Sequence, residues 1–522
     1  MRIRLFAASC LLALLAFACS PRPGRAQAQS NSSLYRPAFH FSPQRNWIND
    51  PAGLVFDGGE YHLFYQYNPQ GDLWGHMSWG HSVSRDLLNW QELPVALAEE
   101  NGVGVFTGSA VLDAANTSGF GANGIAPLVA IFTANSPGLQ TENLAYSLDR
   151  GRTWTRYAAN PILDLHESDF RDPMVFWHAP TKRWVMAVSL ALKHKILFYA
   201  STDLKTWTKL SEFGPAGANA VSNWECPNFF PLTVANLPGK IKWVLEMGVG
   251  DNGPAGGSSS QYFVGDFDGA TFVNDNPDSK TLWADYGSDL YAAQSWSNLP
   301  ASDGRRIAIA WMDSWRYADK LPTSPWRGQM SFPREFGLTQ TSEGIRLTQA
   351  PVREIESLRG EHLQLRNATW EDAEALLKRR DWPEAVEIVA TLKANDAGDF
   401  GFELRKGASY ATRVGYDPRL GRVYVDRTRS GELLVSPQFA ARHEAPLTLH
   451  DGVLQLQILL DRSSVELFAG NGLAAITDLI YPRPADRAMG VYAEGKPPSV
   501  VSLDVWTLKA KPAAVSQSLG KQ

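Results

Sequence analysis

The sequence contains five similar short segments, and their spacing constrains the fold more than any other feature. Each has an apolar centre, and they recur about every sixty residues, at 61–65, 128–132, 183–187, 242–246 and 306–310. A period of that length holds about four strands with their turns, which is one blade of a β-propeller. A Ser-x-Asp pair with a later Trp follows the first three segments. The pattern predicts a five-bladed propeller; the alternative is an irregular β-sandwich with chance similarities.

Three acidic residues precede the repeated segments in similar surroundings. Asp50, Asp172 and Glu225 each lie close to a Pro and introduce an apolar stretch. If each repeated segment is the second strand of its blade, each acid begins an innermost strand beside the central channel. The three carboxylates would then converge at one mouth, as cleavage of a glycosidic bond requires. The alternative for any one of them is a turn carboxylate, because Asp before Pro is common in turns.

Charge and cysteine content exclude several classes of function. The 49 Lys and Arg against 54 Asp and Glu give a net charge of −5, which argues against a nucleic-acid partner. The 18 Trp are compatible with stacking on sugar faces, although Trp is also a large core residue. Beyond the N-terminal region Cys226 stands alone, and no close His pair has a metal-binding spacing. We therefore expect no internal disulfide, no metal and no cofactor.

The N-terminus has the features of a secretion signal. A basic start is followed by an apolar run over residues 5–18, which is too short to span a bilayer comfortably. We assign residues 1–28 to a signal peptide and expect a secreted protein, extracellular or periplasmic, without a transmembrane segment. Cleavage after Ala18 instead of Ala28 would expose Cys19, so a lipoprotein anchored at Cys19 is the alternative.

Several motifs in the same order resemble those of glycoside hydrolase family 32, the invertases, levanases and exo-inulinases. They are WINDPAG at 47–53, FYQYNP at 64–69, FTGS at 106–109, FRDP at 170–173, WECP at 224–227, WRGQMS at 326–331 and DRSSVE at 461–466. The resemblance covers nearly the whole mature chain. It implies an all-β fold, a five-bladed propeller followed by a C-terminal β-sandwich, and retaining hydrolysis of β-fructofuranosyl units of fructan or sucrose.

The resemblance also implies residue roles. Asp50 is expected to be the nucleophile, Glu225 the acid/base, and Asp172 a transition-state stabiliser that holds fructose hydroxyls. Asn49, Gln66, Ser109 and Arg171 are similar to hydroxyl-binding groups, and Trp74 and Trp311 to walls of the fructose pocket; blade packing is the alternative for both Trp residues. Endo-acting inulinases of the family carry Glu where Asp50 stands, so exo attack is expected.

Two further residues near these motifs stay open. Cys226 is expected to shape the surroundings of Glu225 as a small buried residue, because no base that could activate its thiol is evident. Asp289 stands before the fifth segment as the other acids do, and either a pocket or a turn would explain it.

The pattern of apolar residues changes near residue 355. After this point, alternating apolar residues such as Leu454-x-Leu456-x-Ile458 indicate half-buried strands. The sequence of this region contains no cluster of acids comparable with the one in the first domain. We assign 33–352 to the catalytic propeller, 353–510 to a sandwich that is a packing partner or a carbohydrate-binding module, and 511–522 to a tail.

Three other functions are compatible with parts of the pattern. A fructosyltransferase would use the same three acids with a sugar acceptor in place of water. An inverting arabinan or xylan hydrolase shares the five-bladed fold, but the WECP motif and the Asn49-Asp50-Pro51 sequence argue against it. A fructan-binding protein without catalysis would not need a proton donor. The sequence leaves levan, inulin and sucrose preference and the oligomeric state open.

Overall fold

The computed structural model describes residues 34–510, except 221, 379, 380 and 395. The expected signal peptide, Cys19 and the tail at 511–522 lie outside the described residues. Strands dominate, as the sequence predicts, and they form seven antiparallel sheets, one of which gains a short parallel strand.

Five of the sheets follow one another along the chain and form the blades. The first contains β1 (Asn46–Asp57), β2 (Glu60–Asn68), β3 (Ser78–Ser84) and β4 (Trp90–Leu97). The second contains β5 (Gly104–Leu112), β6 (Leu128–Ser136), β7 (Leu139–Ser147), β8 (Thr155–Arg156) and β9 (Leu163–Glu167). The third contains β10 (Phe170–His178), β11 (Arg183–Leu190), β12 (Lys195–Ser201) and β13 (Thr208–Phe213).

The remaining two blades follow the same order. The fourth contains β14 (Trp224–Thr233), β15 (Ile241–Val249), β16 (Ser259–Phe267), β17 (Phe272–Asn274) and β18 (Leu282–Trp283). The fifth contains β19 (Tyr291–Ser295) and β20 (Arg306–Trp311) and, after β21 (Trp326–Arg327), also β22 (Arg334–Thr341) and β23 (Gly344–Pro351). Strand β21 pairs in parallel with β1 and so joins the last blade to the first.

The first strands of the five blades line the propeller axis. Strands β1, β5, β10, β14 and β19 contact one another in that order, and β19 contacts β1 to close the ring. All five repeated segments lie in the second strands, β2, β6, β11, β15 and β20. The prediction of a five-bladed propeller is therefore confirmed, and the three acids do lie in first strands.

The repeated Ser-x-Asp pairs form the same turn in three blades. Each Ser hydroxyl donates to the Asp carboxylate, over 3.0 Å from Ser84 to Asp86, 2.7 Å from Ser147 to Asp149 and 3.0 Å from Ser201 to Asp203. The following Trp indole donates to a carbonyl oxygen three residues earlier, at 3.1 Å in each case. These residues therefore close hairpins at the outer part of the blades, away from the axis.

The last two sheets form the β-sandwich. Their strands are β24 (Arg359–Ala368), β25 (Val386–Lys393), β26 (Phe400–Lys406), β27 (Thr412–Asp417), β28 (Arg422–Asp426), β29 (Arg442–Pro446), β30 (Val453–Leu460), β31 (Ser464–Ala469), β32 (Ala474–Leu479), β33 (Ala488–Ala493) and β34 (Ser499–Leu508). One sheet has the order β24-β34-β25-β30-β31-β32, and the other β29-β28-β27-β26-β33. Helix α1 (Trp370–Leu377) begins at a capping box formed by Thr369 and Asp372.

The two sheets of the sandwich share one apolar core. Alternate residues of β25 (Val386, Ile388, Ala390 and Leu392) face Phe400 and other buried residues of the second sheet in that core. This alternation follows from the two-residue period of a strand and matches the pattern read from the sequence.

Buried ion pairs join the propeller to the sandwich. Arg334 of β22 pairs with Glu466 of β31 at 2.6 Å and, within the propeller, with Asp285 at 3.0 Å. Asp289, which the sequence left open between a pocket and a turn, lies in a bend of the segment just before β19. It is fully buried and accepts a hydrogen bond from Arg427 of the sandwich at 2.5 Å.

The described part of the chain contains no helix with the length and apolarity needed to cross a membrane.

Candidate active site

A β-bulge interrupts each of the five first strands at the same level. There, two residues of the first strand oppose a single residue of the second; the pairs are 49–50, 106–107, 172–173, 226–227 and 292–293. Asp172 and Cys226 adopt positive φ values of 66° and 52° at these bulges. A bulge breaks the alternation of side chains and re-aims them. Adjacent residues such as Asn49 and Asp50 can therefore face one cavity, which a regular strand would not allow.

The bulges surround a cavity of about 350 Å³ at the start of the first strands. It is lined by Asn49, Asp50, Gln66, Trp74, Phe106, Thr107, Arg171, Asp172, Asn223, Glu225, Gly250 and Trp315. The carboxylates of Asp50 and Asp172 are nearly buried, whereas Trp74 and Trp315 are half exposed at the rim. Its volume falls in the range of about 300–1,000 Å³ that is usual for small-molecule sites.

Asp50 lies in a shell of hydrogen-bond donors. Its Oδ2 accepts from the Thr107 hydroxyl at 3.0 Å and from the Cys226 thiol at 3.3 Å, and its Oδ1 accepts from the Asn49 amide at 3.2 Å. The amide of Gln66 donates in turn to Thr107 Oγ1 at 3.2 Å. These contacts fix the orientation of the carboxylate, which a nucleophile in a covalent mechanism requires.

Glu225 is held from two sides. The guanidinium of Arg171 donates to Oε1 over 2.9 Å from Nε and lies 2.8 Å away through its second nitrogen. The hydroxyl of Tyr291 donates to Oε2. Both contacts hold the carboxyl group in place, and an acid/base residue must be positioned within reach of the proton that it transfers.

Asp172 shares Cys226 with Asp50 and Arg171 with Glu225. Its Oδ2 accepts from the Cys226 backbone N–H at 3.0 Å, and the Cys226 thiol lies 3.6 Å from the same oxygen. The Arg171 guanidinium lies 4.0 Å from Asp172 Oδ2. One buried cysteine therefore touches both Asp50 and Asp172.

Burial and mutual repulsion raise the pKa of two of the acids. Burial raises the pKa of Asp50 to about 6, and the charge of Glu225 adds to the effect, while hydrogen bonds from Asn49, Cys226 and Thr107 oppose it. Burial also raises the pKa of Asp172; Arg171 opposes this, whereas Glu225 and Asp50 add to it. Perturbed carboxylates that share a cavity are typical of catalytic sites.

As pH decreases, we expect activity to fall at a higher pH than it would if the essential aspartate had an ordinary pKa. If Asp50 is the nucleophile, as the sequence predicts, it must be ionised to attack, and burial raises its pKa to about 6 from 3.8. The value of kcat/KM should therefore fall as pH decreases through this range, because that quantity reports the ionisation of the free enzyme. A profile that stays flat from pH 7 down to pH 4 would contradict the assignment of Asp50.

Four of the sequence-predicted binding residues line the cavity and two do not. Asn49, Gln66, Trp74 and Arg171 face it together with the three acids. Ser109 is directed to the next blade instead: its hydroxyl donates to the Pro173 carbonyl and accepts from the Val175 N–H, each at 2.9 Å.

Trp311 packs behind the cavity wall. It is fully buried, with its ring centroid 5.9 Å from that of Trp47 and 4.8 Å from that of Trp315. Trp311 therefore contributes to the packing of the blades, which was the alternative to a place on the pocket wall. Besides Trp74, the tryptophan that lines the cavity is Trp315, in the loop after β20, where the sequence offers no periodicity to indicate which indole turns inward.

Sequence reasoning missed the roles of Thr107 and Tyr291. Thr107 lies in the FTGS motif, two residues before Ser109, and the bulge in β5 is what turns it toward Asp50. Tyr291 begins β19 at the position that Glu225 has in β14, directly before the bulge. Comparing the repeats at this position could have indicated that Tyr291 lies near Glu225.

Among the described residues, no group of three or more His, Cys, Asp and Glu side chains has an arrangement that could hold a metal ion. We expect prolonged dialysis against a chelator to leave kcat and KM unchanged, since carboxylates can complete glycosidic cleavage. Activity that is lost on dialysis and restored by a divalent cation would contradict this expectation. Dialysis without chelator is the matched control.

The fold and the cavity together define a class of enzyme. A five-bladed propeller that presents three carboxylates in one cavity, followed by a β-sandwich, is the architecture of a carboxylate glycosidase.

The protein belongs to glycosyl hydrolases family 32. The N-terminal domain model of that family matches residues 40–351, and the C-terminal model matches residues 354–507. The resemblance read from the sequence motifs is therefore confirmed.

Curated relatives match nearly the whole chain. A levanase of Bacillus subtilis (strain 168) is 47% identical over 479 residues, which cover 91% of this chain and 70% of the relative. An extracellular exo-inulinase of Aspergillus niger is 40% identical over 499 residues, covering 88% of this chain and 92% of the relative.

A solved structure agrees in fold. The crystal structure of exo-inulinase from Aspergillus awamori superposes with a TM-score of 0.84 and 36% identity, covering 91% of this chain and 98% of that one.

Proposed function

We propose that this protein is a retaining exo-β-fructosidase that releases terminal fructose from fructans, with sucrose as a smaller substrate of the same kind. The observation that carries the proposal is the shared cavity of Asp50, Asp172 and Glu225, in which each acid has a different set of partners. The relatives named levanase and exo-inulinase support the substrate class.

Asp50 is the proposed nucleophile. Its carboxylate attacks the anomeric carbon of the terminal fructose while the bond to the leaving oxygen breaks, so that a covalent fructosyl-enzyme ester forms. The donors around Asp50 orient it without neutralising it. A retaining reaction needs the nucleophile and the acid about 5–5.5 Å apart.

Glu225 is the proposed acid/base. It gives its proton to the leaving oxygen in the first step and takes one from water in the second, when that water attacks the anomeric carbon and releases Asp50. Arg171 and Tyr291 both contact its carboxyl group and can stabilise the anion left after the first proton transfer.

Asp172 is the proposed transition-state stabiliser. It is almost buried in the cavity that Asp50 and Glu225 also line, where its carboxylate can accept hydrogen bonds from hydroxyl groups of a bound fructose. We further propose that Asn49, Gln66 and Arg171 bind hydroxyl groups, and that Trp74 and Trp315 hold the sugar face at the rim.

The depth of the carboxylates favours attack at chain ends. A polymer can reach them only by inserting its terminal unit, while the rest of the chain leaves past Trp74 and Trp315. We therefore expect free fructose as the first product from levan and from inulin, with polymer length falling slowly. Product analysis over time by chromatography tests this. Early oligosaccharides with little monomer would contradict exo attack, and transfer of fructose to added sugars in place of water would indicate a transferase.

We also propose that the protein is secreted, on the basis of the leader-like sequence at residues 1–28 and the extracellular relative. We propose in addition that residues 33–352 form the catalytic domain and that residues 353–510 form its sandwich partner. Mass spectrometry of the mature N-terminus distinguishes cleavage after Ala28 from a lipid-modified Cys19.

A further inference from the structure

A second cavity lies at the opposite mouth of the propeller axis from the three acids. This basal cavity has a volume of about 580 Å³ and is lined by the far ends of β5, β10 and β14 and by the segment that follows β19. No described residue lines both cavities, and along β10 the basal cavity takes in residues 174 and 176–178, which follow the bulge that presents Asp172 to the active site. The cavity is therefore separate from the candidate active site.

Aromatic rings form a large part of the wall of the basal cavity. They include Phe176, Trp177, Trp184, Phe229 and Trp243. Trp177 is 43% exposed, and its ring centroid lies 5.2 Å from that of Trp184. Walls of this kind bind flat apolar groups, and the few polar groups available make a poor match for a sugar, which needs many hydrogen bonds.

One cation lines the basal cavity without a carboxylate to balance it. The lining, which falls wholly within the described residues, contains Arg306 but no Asp or Glu. The guanidinium of Arg306 lies 5.0 Å over the Phe230 ring, and its hydrogen bond to the Trp296 carbonyl is long, at 3.4 Å. Desolvation lowers the pKa of Arg306 to about 10, so the guanidinium keeps its charge at neutral pH.

The other titratable group on the wall does not provide a second charge. Burial and the nearby Arg183 lower the pKa of His178, and its Nδ1 is 2.7 Å from the Thr181 hydroxyl. Arg306 is thus the cationic group of a mainly apolar lining, whose other polar side chains include the neutral Ser297 and Asn298. Charge complementarity then requires an anion that carries an apolar body.

We propose that the basal cavity binds a small aromatic carboxylate, with its ring among the aromatic side chains and its carboxylate paired with Arg306. The pairing would supply the counter-ion that the described lining does not, and the planar guanidinium suits a carboxylate in two-point contact.

The test measures binding of 2-naphthoate to the full-length enzyme by isothermal titration calorimetry, with 2-naphthamide as the neutral match. We expect saturable binding of the acid at one site and at least about tenfold weaker binding of the amide. Arg306→Gln should weaken naphthoate binding by at least about tenfold, whereas Lys240→Gln, which removes an exposed charge just outside the cavity, should not.

A second pair of variants keeps the test independent of Arg306. Ile241 is 56% exposed on the cavity wall, so it tolerates a polar residue. Ile241→Glu should weaken naphthoate binding much more than Ile241→Gln, because the new carboxylate repels the ligand and competes for Arg306. All variants should keep fructosidase activity, which shows that they are folded.

Three results would overturn the proposal. Equal affinity for the acid and the amide would show an apolar cavity without anion preference. Displacement of naphthoate by saturating fructose would place the probe in the active site, where Arg171 is the cation. Absence of binding at about 1 mM probe would show that the cavity does not bind this aromatic carboxylate with a useful affinity.

Discussion

Asp50→Asn should lower kcat on levan or inulin by about 10⁴-fold or more while the protein remains folded. An amide cannot form the fructosyl ester, and loss of a nucleophile removes the covalent route altogether. Asn has nearly the same shape as Asp, so Thr107 and Gln66 keep their places around it. Initial-rate kinetics with a sensitive fructose assay measure the loss.

The same variant should be at least as stable as the parent protein at pH 7. The folded pKa of Asp50, about 6, exceeds its ordinary value of 3.8, so the folded state binds protons more tightly and loses stability as pH rises between these values. The difference corresponds to at most about 3 kcal/mol at pH 7. Thermal unfolding of Asp50→Asn at pH 4 and pH 7, with Asp164→Asn as the matched control outside the cavity, measures it. An inactive variant that is also clearly less stable would indicate a structural role instead.

Glu225→Gln should lower kcat on fructans by about 10²–10⁴-fold, because Gln cannot protonate the leaving oxygen. The loss in the first step should be much smaller with fructosyl fluoride, whose leaving group needs little proton assistance. Because the second step still lacks a base, a covalent intermediate on Asp50 should accumulate, and mass spectrometry can detect it.

Added azide provides the decisive comparison. As an anionic nucleophile it needs no base, so it should accelerate turnover of fructosyl fluoride by Glu225→Gln and leave Asp50→Asn unaffected. Glu212→Gln, on the outer strand of the third blade, is the matched control. Equal losses on fructan and on the fluoride would contradict the role of Glu225.

The architecture could be predicted because it depends on patterns that repeat. The spacing of the apolar segments indicated five second strands, and the acids in front of three of them therefore fell in first strands. Alternating apolar residues indicated the sandwich in the same way. These signals are local and periodic, so one sequence suffices to detect them.

The details of the site depend on bulges and loops, which leave no periodic signal. A one-residue shift decides that Thr107 faces Asp50 while Ser109 faces Pro173. Whether Trp311 or Trp315 reaches the cavity depends on the path of a loop. The partner of Asp289 lies 138 residues away in the sandwich, and no local pattern identifies so distant a contact.

The buried ion pairs between propeller and sandwich limit how far the catalyst can be shortened. Cutting the chain after β23 would take Glu466 from Arg334, which keeps Asp285, and Arg427 from the buried Asp289. Removal of one partner from a buried pair costs about 3–5 kcal/mol, and a whole domain commonly has only about 5–15 kcal/mol of stability. The hydrolytic half is therefore not a portable module, and any attempt to engineer a minimal enzyme must first replace these charges with apolar residues.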